Sequence, residues 1–314
     1  MRVLFLTLTV LIAAAWDPPG MQTGRALAEV GDRQLTCTDL APGPSRTVTR
    51  VIDSETVGLD DGTELRLIGT LGTRAIDGGA EPGAWPAAIA ATEELRALLL
   101  GRTVELAFGG ERSDRYGRQQ AHAFVQEGNV ARWVQGHLLA QGLARAYTAA
   151  GNRSCGEELL AAERHAREAR RGLWAEAAYR PKSADRVAEL VRARSTFQVV
   201  EGRIAGVAQV RGMIYLNFHA DWRHAFSVGL RRTDRALLGT GASNPRTLEG
   251  RLVRVRGWIE QRNGPGTAPI IELSTAGLIE VLNERAPEAK ATLGPPESEQ
   301  PDQTKPPDLI ETGR

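Results

Sequence analysis

Lysine, histidine and aromatic residues are scarce in this 314-residue sequence. Only three of its 39 basic residues are lysine, histidine occurs five times and aromatic residues make up 5%. The 39 Lys+Arg residues oppose 38 Asp+Glu residues, which gives a net charge of +1. A near-neutral chain excludes a protein whose entire surface is built to hold nucleic acid. With 42% hydrophobic and 25% charged residues, a wholly disordered chain is excluded as well.

Long apolar runs are also missing, apart from one near the start. Residues 3–16 form an apolar run of 14 residues after Met1-Arg2, whereas crossing a bilayer needs about 20. A basic start, a short apolar run and the later Ala26-Leu27-Ala28 predict a signal peptide over residues 1–28. The protein is therefore expected to be exported, to the periplasm or the extracellular space, with no transmembrane span in its mature form. An uncleaved N-terminal anchor is the alternative.

Cysteine occurs only twice, as Cys37 and Cys155. Export places both thiols in a compartment that permits a disulfide, which we predict between them. The alternative is a pair of separate buried thiols.

The first half of the chain combines strand and helix patterns. Alternating apolar residues over 47–68 surround Asp60-Asp61-Gly62, which predicts a hairpin. Further segments are predicted from their periodicity and caps: a helix over 85–100, strands over 102–108 and 120–126, a helix from Asn129 to about Gly142, and a helix from Ser154 to Arg171.

A charged segment, 178–194, is predicted to be a linker, with one helical turn as an option. A second β-rich block follows over about 195–283. Its five predicted strands cover 197–207, 210–218, 225–230, 251–261 and 270–274. Residues 286–314 are rich in Pro and Glu and predict a disordered tail.

Five motifs between about 46 and 175 resemble the staphylococcal nuclease (thermonuclease) family in order and spacing. They are Val51-Ile52-Asp53-Ser54-Glu55-Thr56-Val57, Arg66-Leu67-Ile68-Gly69, Asp114-Arg115-Tyr116-Gly117-Arg118, Gln141-Gly142-Leu143-Ala144 and Arg171-Gly172-Leu173-Trp174. The resemblance implies a nuclease-like domain over 46–177. Its expected fold is a small closed β-barrel of the oligonucleotide-binding (OB) type with three helices.

The family's chemistry assigns roles to the positions that match. Arg66 and Arg118 match the two arginines that bind the scissile phosphate, and Tyr116 matches a tyrosine that contacts the nucleotide. Glu55 stands at the first calcium-binding aspartate and is expected to be a weak, insufficient ligand. The alternative for Arg66, Arg118 and Tyr116 is that they are ordinary surface and packing residues of a barrel.

The remaining catalytic positions depart from the family. Where it has R-L-I-G-x-D-x-P-E, Leu71 replaces the second metal aspartate and Arg74 replaces the glutamate base. An apolar side chain cannot bind calcium, and a fixed cation beside the site repels it. Asp53, Asp77 and Glu81 are nearby carboxylates that a rearranged loop would have to recruit. The resemblance leaves open whether the protein is an enzyme, and Ca²⁺ is expected as a cofactor only if it is.

The second block resembles the smaller OB-like barrels that accompany such nuclease domains in exported bacterial proteins. The fold class expected for the whole chain is therefore α+β and mainly β, with two small barrels in tandem. Tyr215, Trp222, Arg254 and Arg256 are predicted to bind single-stranded nucleic acid, because bases stack on exposed aromatic rings beside arginines. The alternative is that Trp222 and Phe226 complete the core of the barrel.

The sequence thus favours an exported thermonuclease-like protein that binds nucleic acid or phosphate through a degenerate centre. Single strands are the favoured ligand, and the protein partners are unknown. A divergent metal-dependent endonuclease or phosphodiesterase is the first alternative. A cell-envelope module that binds protein or glycan is the second.

Overall fold

The computed structural model describes residues 37, 40–73, 86–262, 268–274 and 277–282. The signal peptide and the C-terminal tail predicted from the sequence lie outside these residues. Among the described helices, none has both the length and the apolar composition that crossing a membrane requires.

The first half of the described chain contains eight strands and three α-helices. They are β1 (Ala41–Asp53), β2 (Thr56–Leu59), β3 (Glu64–Leu67), β4 (Thr70–Gly72), α1 (Pro86–Leu99), β5 (Thr103–Phe108), β6 (Gln119–Glu127), β7 (Val130–Trp133), α2 (Val134–Ala140), β8 (Ala144–Ala146) and α3 (Gly156–Glu168).

Five of these strands close into a barrel. Strand β1 pairs antiparallel with β2 and β5, β2 with β3, and β5 with β6, while β3 and β6 pair in parallel and close the ring. The register of β1 shifts between Val48 and Arg50, and such an irregularity bends a strand so that it can serve two neighbours. The interior holds apolar side chains such as Val57, Leu65 and Leu106. This closed barrel confirms the expected OB-type fold.

The predicted hairpin is confirmed. Its turn lies between β2 and β3, where Gly62 has a φ of +83°, a conformation that favours glycine. Asp61 Oδ1 accepts hydrogen bonds from the Thr63 amide (3.0 Å) and hydroxyl (2.6 Å).

The second half contains nine strands and one short α-helix. They are β9 (Lys182–Ser183), α4 (Val187–Arg192), β10 (Phe197–Arg203), β11 (Gly206–Val210), β12 (Met213–Asn217), β13 (Ser227–Arg231), β14 (Leu252–Trp258), β15 (Glu260–Gln261), β16 (Pro269–Glu272) and β17 (Leu278–Val281).

The second block repeats the pairing order of the first barrel. Strands β10 and β11 together act as its first strand, since β10 pairs with β14 and β11 with β12. Strand β12 pairs with β13, β13 pairs in parallel with β16, and β16 pairs with β15, which follows β14. A second apolar core lies between these sheets and includes Phe226, Val228 and Ile271. The second block thus consists of two sheets around one apolar core, with a pairing order that agrees with the expected OB-like barrel.

Several local predictions need correction. The predicted strand 197–207 divides into β10 and β11, and the segment predicted as a linker contains α4 and β9, which pairs with β10. The helix predicted from Asn129 begins only at Val134, because the turn at Gly128 sends the intervening residues back along β6 as strand β7. Helix α3 agrees with its prediction, but Ser154 does not cap it: its hydroxyl donates to the Gly109 carbonyl at 2.6 Å.

The predicted disulfide between Cys37 and Cys155 is confirmed, with a Cα–Cα distance of 5.5 Å. It joins the segment before β1 to the residue that precedes α3. All five strands of the first barrel lie between the two cysteines.

The two barrels pack against each other through buried charges. Arg256 on β14 donates to Glu163 on α3 at 2.6 Å and to Glu280 on β17 at 2.7 Å. Glu163 also accepts a hydrogen bond from Arg167 at 2.5 Å. The side chains of Arg256 and Glu163 are fully buried. Because such charges are costly to bury without partners, this cluster ties the barrels together.

Polar bonds to the main chain extend the same interface. Arg145 on β8 donates to the Phe197 carbonyl at 2.9 Å. Arg153 donates to the carbonyls of Leu273 at 2.7 Å and Ser274 at 3.2 Å. The interface therefore fixes main-chain positions in the second barrel as well as side chains.

Candidate nucleic-acid interface

An open pocket of about 550 Å³ lies on the first barrel, beside the β1–β2 turn and the loop between β5 and β6. It is lined by Asp53, Ser54, Glu55, Arg66, Thr73, Arg115, Tyr116 and Arg118. The pocket brings together all four residues that the family resemblance singled out in the first barrel: Glu55, Arg66, Tyr116 and Arg118.

Glu55 occupies the floor of this pocket. The Asp53 carboxylate accepts a hydrogen bond from the Glu55 amide at 2.8 Å and shapes the turn, and the Glu55 side chain is only 4% exposed. One carboxylate oxygen accepts the Gly72 amide hydrogen, and the other forms an ion pair with Arg66. Glu55 is thus already bonded to the cation that the resemblance assigns to phosphate.

The loop between β5 and β6 is held by Asp114. Its carboxylate accepts hydrogen bonds from the amides of Tyr116 (2.8 Å) and Arg118 (3.0 Å) and from the Arg118 side chain (2.7 Å). Burial acts to raise the pKa of Asp114, but these hydrogen bonds and the Arg118 charge outweigh it and lower the pKa below its usual value. Asp114 therefore stays ionised and fixes Arg118 at the rim of the pocket.

Tyr116 is an exposed ring with two guanidinium groups close to it. It is 67% exposed, and the ring centre lies 4.8 Å from the Arg115 guanidinium carbon and 5.2 Å from that of Arg118. Arg115 also donates to the Tyr116 hydroxyl at 2.7 Å. Sequence reasoning did not single out Arg115, although it lies inside the recognised loop motif.

Among the described residues, the carboxylate at the calcium position that the resemblance implies is already engaged within the protein. Ca²⁺ takes six to eight oxygen ligands, whereas Leu71 supplies none and is buried on β4 opposite Arg145. Both Glu55 oxygens are bonded within the protein, so calcium would have to displace the Arg66 cation. No group of three His, Cys, Asp or Glu residues suited to a metal occurs among the described residues. Arg74, Asp77 and Glu81 lie outside them.

On the second barrel, Arg262 joins Tyr215 and Trp222 into one surface. Its guanidinium carbon lies 5.1 Å from the centre of each ring, and that of Arg223 lies 4.6 Å from the Trp222 ring. Trp222 is 41% exposed, so it does not complete the core, whereas Phe226 does. Arg262 follows β15 immediately, and no sequence signal singled it out because its contacts come from the chain fold.

The prediction that Arg254 and Arg256 bind nucleic acid is corrected by the structure. Arg256 is completely buried between the barrels, where no ligand reaches it. Arg254 forms ion pairs with Glu201 at 2.7 Å and Glu280 at 3.5 Å and is largely buried. The sequence placed both arginines beside exposed aromatic rings, but α3 covers Arg256, and the neighbouring strand β17 carries Glu280, which pairs with both arginines.

Comparison with known proteins supports the nuclease-like assignment of the first barrel. Residues 83–176 match the family model described as staphylococcal nuclease homologue. The match includes Tyr116 and Arg118, whereas Glu55 and Arg66 precede it. No curated protein matches the chain. The family match and the closed five-stranded barrel together show that the chain contains a staphylococcal-nuclease-like domain of the OB type.

Proposed function

We propose that this is an exported protein that binds single-stranded nucleic acid through the phosphate-binding pocket of its first barrel, with a catalytic centre that is weak or inactive. The disulfide and the apolar N-terminal run support export, because disulfides persist in oxidising compartments.

One observation carries the loss of catalysis. The carboxylate at the family's calcium position, Glu55, is buried and paired with Arg66. Without a metal ion, the pocket has no Lewis acid to polarise the phosphate and no means of activating water through a bound cation. Leu71 has no oxygen atom in its side chain that could replace the Glu55 carboxylate oxygen paired with Arg66.

Phosphate binding depends on three guanidinium groups. Arg66, Arg115 and Arg118 all line the pocket, and a guanidinium group matches the oxygens of a phosphodiester with paired hydrogen bonds. Arg66 and Arg118 each share their charge with a carboxylate. Arg115 is bonded to Tyr116 instead, so its charge is the one most available to a phosphate.

The surrounding charge sets the strength of binding. Residues 46–180 carry 17 basic and 18 acidic side chains, so no general positive field reinforces the pocket. We therefore expect modest affinity that falls with salt, because each neutralised phosphate releases counterions and the pocket contacts only a few phosphates.

A divergent phosphodiesterase is the second candidate function. One observation favours it: the buried Thr73 hydroxyl lines the pocket and has no hydrogen-bond partner among the residues that the structure describes. Asp53 exposes a carboxylate on the same pocket. These oxygens are potential ligands for a metal ion bound in another manner than in the family.

The test uses fluorescently labelled single-stranded DNA and RNA with the full mature chain. Binding is measured by anisotropy at two salt concentrations with EDTA, and cleavage is measured on gels with EDTA and with CaCl₂. We expect salt-sensitive binding without cleavage. Arg115→Ala and Arg118→Ala should each weaken this binding. Arg246→Ala, an exposed arginine on the second barrel, is the matched control.

Two results would contradict the proposal. Calcium-dependent cleavage that Arg66→Ala and Arg118→Ala abolish would establish the phosphodiesterase. If the protein neither binds nor cleaves the oligonucleotides, the remaining hypothesis is a module that binds protein or glycan.

A further inference from the structure

The outer face of the second barrel carries a row of residues that do not belong to its apolar core. Tyr215 on β12 lies opposite Gly229 on β13, which lies opposite Glu272 on β16. Their neighbours Leu216, Val228 and Ile271 point into the core. Since side chains alternate along a strand, Tyr215 belongs to the outer face, where Arg262 and Trp222 join it.

The two arginines of this face keep their charge free of ion pairs. Arg262 donates to the Ser227 hydroxyl and to the Trp222 carbonyl, and it stacks on two rings. Within the described part of the chain, neither Arg223 nor Arg262 forms an ion pair, although the half-buried Glu272 carboxylate on the same face acts electrostatically on Arg262. On the same barrel, by contrast, Arg231 is paired with Asp234.

The arrangement repeats the one on the first barrel. Tyr116 is an exposed ring with Arg115 and Arg118 against it, and Trp222 is an exposed ring with Arg223 and Arg262 against it. Each barrel thus presents one accessible aromatic ring flanked by two guanidinium groups. We call the first set the Tyr116 platform and the second set, with Tyr215, the Trp222 platform.

We propose that the Trp222 platform is a second binding site for the same single strand of nucleic acid, and that a strand long enough to reach both platforms binds to both at once. This inference rests on the proposed function of the first barrel. It adds a site and a dependence on strand length.

The chemistry of the platform selects this ligand. A planar base stacks on an aromatic ring or on a guanidinium plane, and the adjoining phosphate supplies the anion that the unpaired arginines need. A neutral sugar stacks on the ring but supplies no anion to either guanidinium group.

The contact between the barrels makes joint binding effective. The buried Arg256–Glu163 pair and the Arg153 bonds hold the two barrels as one body. Once one platform holds a strand, the other meets it at a high effective concentration, so affinity rises without any new contact.

The experiment measures the affinity of oligothymidylates of increasing length, from about 4 nucleotides, the size that one OB barrel holds, to about 30. For the wild type we expect a steep rise in affinity at one length. In Trp222→Leu and Arg223→Ala/Arg262→Ala, that rise should shrink by about tenfold or more, while the shortest strands that occupy the Tyr116 platform bind as before. Arg246→Ala should behave as the wild type.

Tryptophan fluorescence gives a second readout. Trp222 is exposed, whereas Trp133 and Trp174 are buried and Trp258 is only partly exposed. Stacking of a base on Trp222 should therefore quench emission more strongly in the wild type than in Trp222→Leu. Thermal unfolding of each variant shows whether it is folded.

Each outcome decides between the two proposals. Equal affinity of folded Trp222→Leu and wild type at every length would overturn the second site and leave the first pocket standing. Binding that Trp222→Leu removes and Arg118→Ala does not would overturn the proposed function of the first barrel. Absence of any binding by the wild type would overturn both.

Discussion

Arg66 and Glu55 form an ion pair at the floor of the first barrel's pocket. Arg66 on β3 lies opposite Thr56 on β2, and Glu55 directly precedes Thr56. A phosphate that binds Arg66 must therefore compete with a carboxylate that the protein itself supplies. The pocket limits its own affinity for anions.

Replacing this carboxylate should strengthen binding. In Glu55→Gln the amide oxygen can still accept the Gly72 hydrogen, but Arg66 loses its anion. A charge-assisted bond contributes about 1.5–3 kcal/mol, so we expect affinity for single-stranded oligonucleotides to rise by about tenfold or more in anisotropy titrations. Asp61→Asn, which removes the anion from Arg46 elsewhere on the barrel, should have no such effect. Unchanged or weaker binding by Glu55→Gln would show that Arg66 does not contact the ligand.

Arg256 should matter for stability and not for binding. Arg256→Met leaves Glu163 and Glu280 with fewer cations in a buried site, and breaking a buried pair costs about 3–5 kcal/mol. Denaturant unfolding should show this loss, while oligonucleotide affinity at low temperature stays at the wild-type value. The exposed Arg246→Met serves as control for both measurements. Weaker binding by folded Arg256→Met would restore the role that the sequence predicted for it.

His122 should make the protein sensitive to acid. It is buried, with its Nδ1 accepting a hydrogen bond from Trp133 at 3.2 Å, and burial lowers its pKa from 6.5 to about 4. Between these values the unfolded chain binds a proton and the folded chain does not, so the free energy of unfolding falls as the pH drops from 6.5 to 4. The full effect is on the order of 3 kcal/mol.

The measurement compares urea unfolding at pH 7 and pH 4. His122→Gln should lose less stability between these pH values than the wild type, whereas the exposed His165→Gln should lose as much. An identical decrease in His122→Gln would assign the acid sensitivity to other groups.

Reduction of the disulfide should destabilise the first barrel. Cys37 and Cys155 are separated by 118 residues, and a loop of that size contributes about 4–5 kcal/mol in the chain-entropy model. Urea unfolding with and without dithiothreitol measures the difference. The Cys37→Ala/Cys155→Ala variant should match the reduced wild type and should not respond to dithiothreitol. A variant as stable as the oxidised protein would contradict the expected contribution.

Local signals predicted much of the fold. Asp60-Asp61-Gly62 specified a hairpin because its turn chemistry depends on neighbouring residues only, and helix α1 agreed with its periodicity. The prediction for the segment after Gly128 failed because the spacing of Val130 and Val134 fits a helix, whereas pairing with β6, a contact between strands, decided the conformation of residues 130–133.

The candidate site divides in the same way. Motif spacing located Arg66, Tyr116 and Arg118, which the structure brings to one pocket. The sequence of β14 does not indicate that α3 covers Arg256. The sequence around Arg262 likewise does not indicate which aromatic rings its side chain contacts. Residues whose surroundings come from distant segments were the ones that sequence reasoning misassigned or missed.

The disulfide also determines how the chain responds to proteolysis. Because every strand of the first barrel lies between Cys37 and Cys155, a protease that cuts the main chain once anywhere in that interval releases no fragment. The cut protein migrates as a single chain on a non-reducing gel and separates into two pieces only after reduction. A nicked first barrel thus keeps both of its halves, and with them both arginine-bearing walls of its pocket, in one molecule.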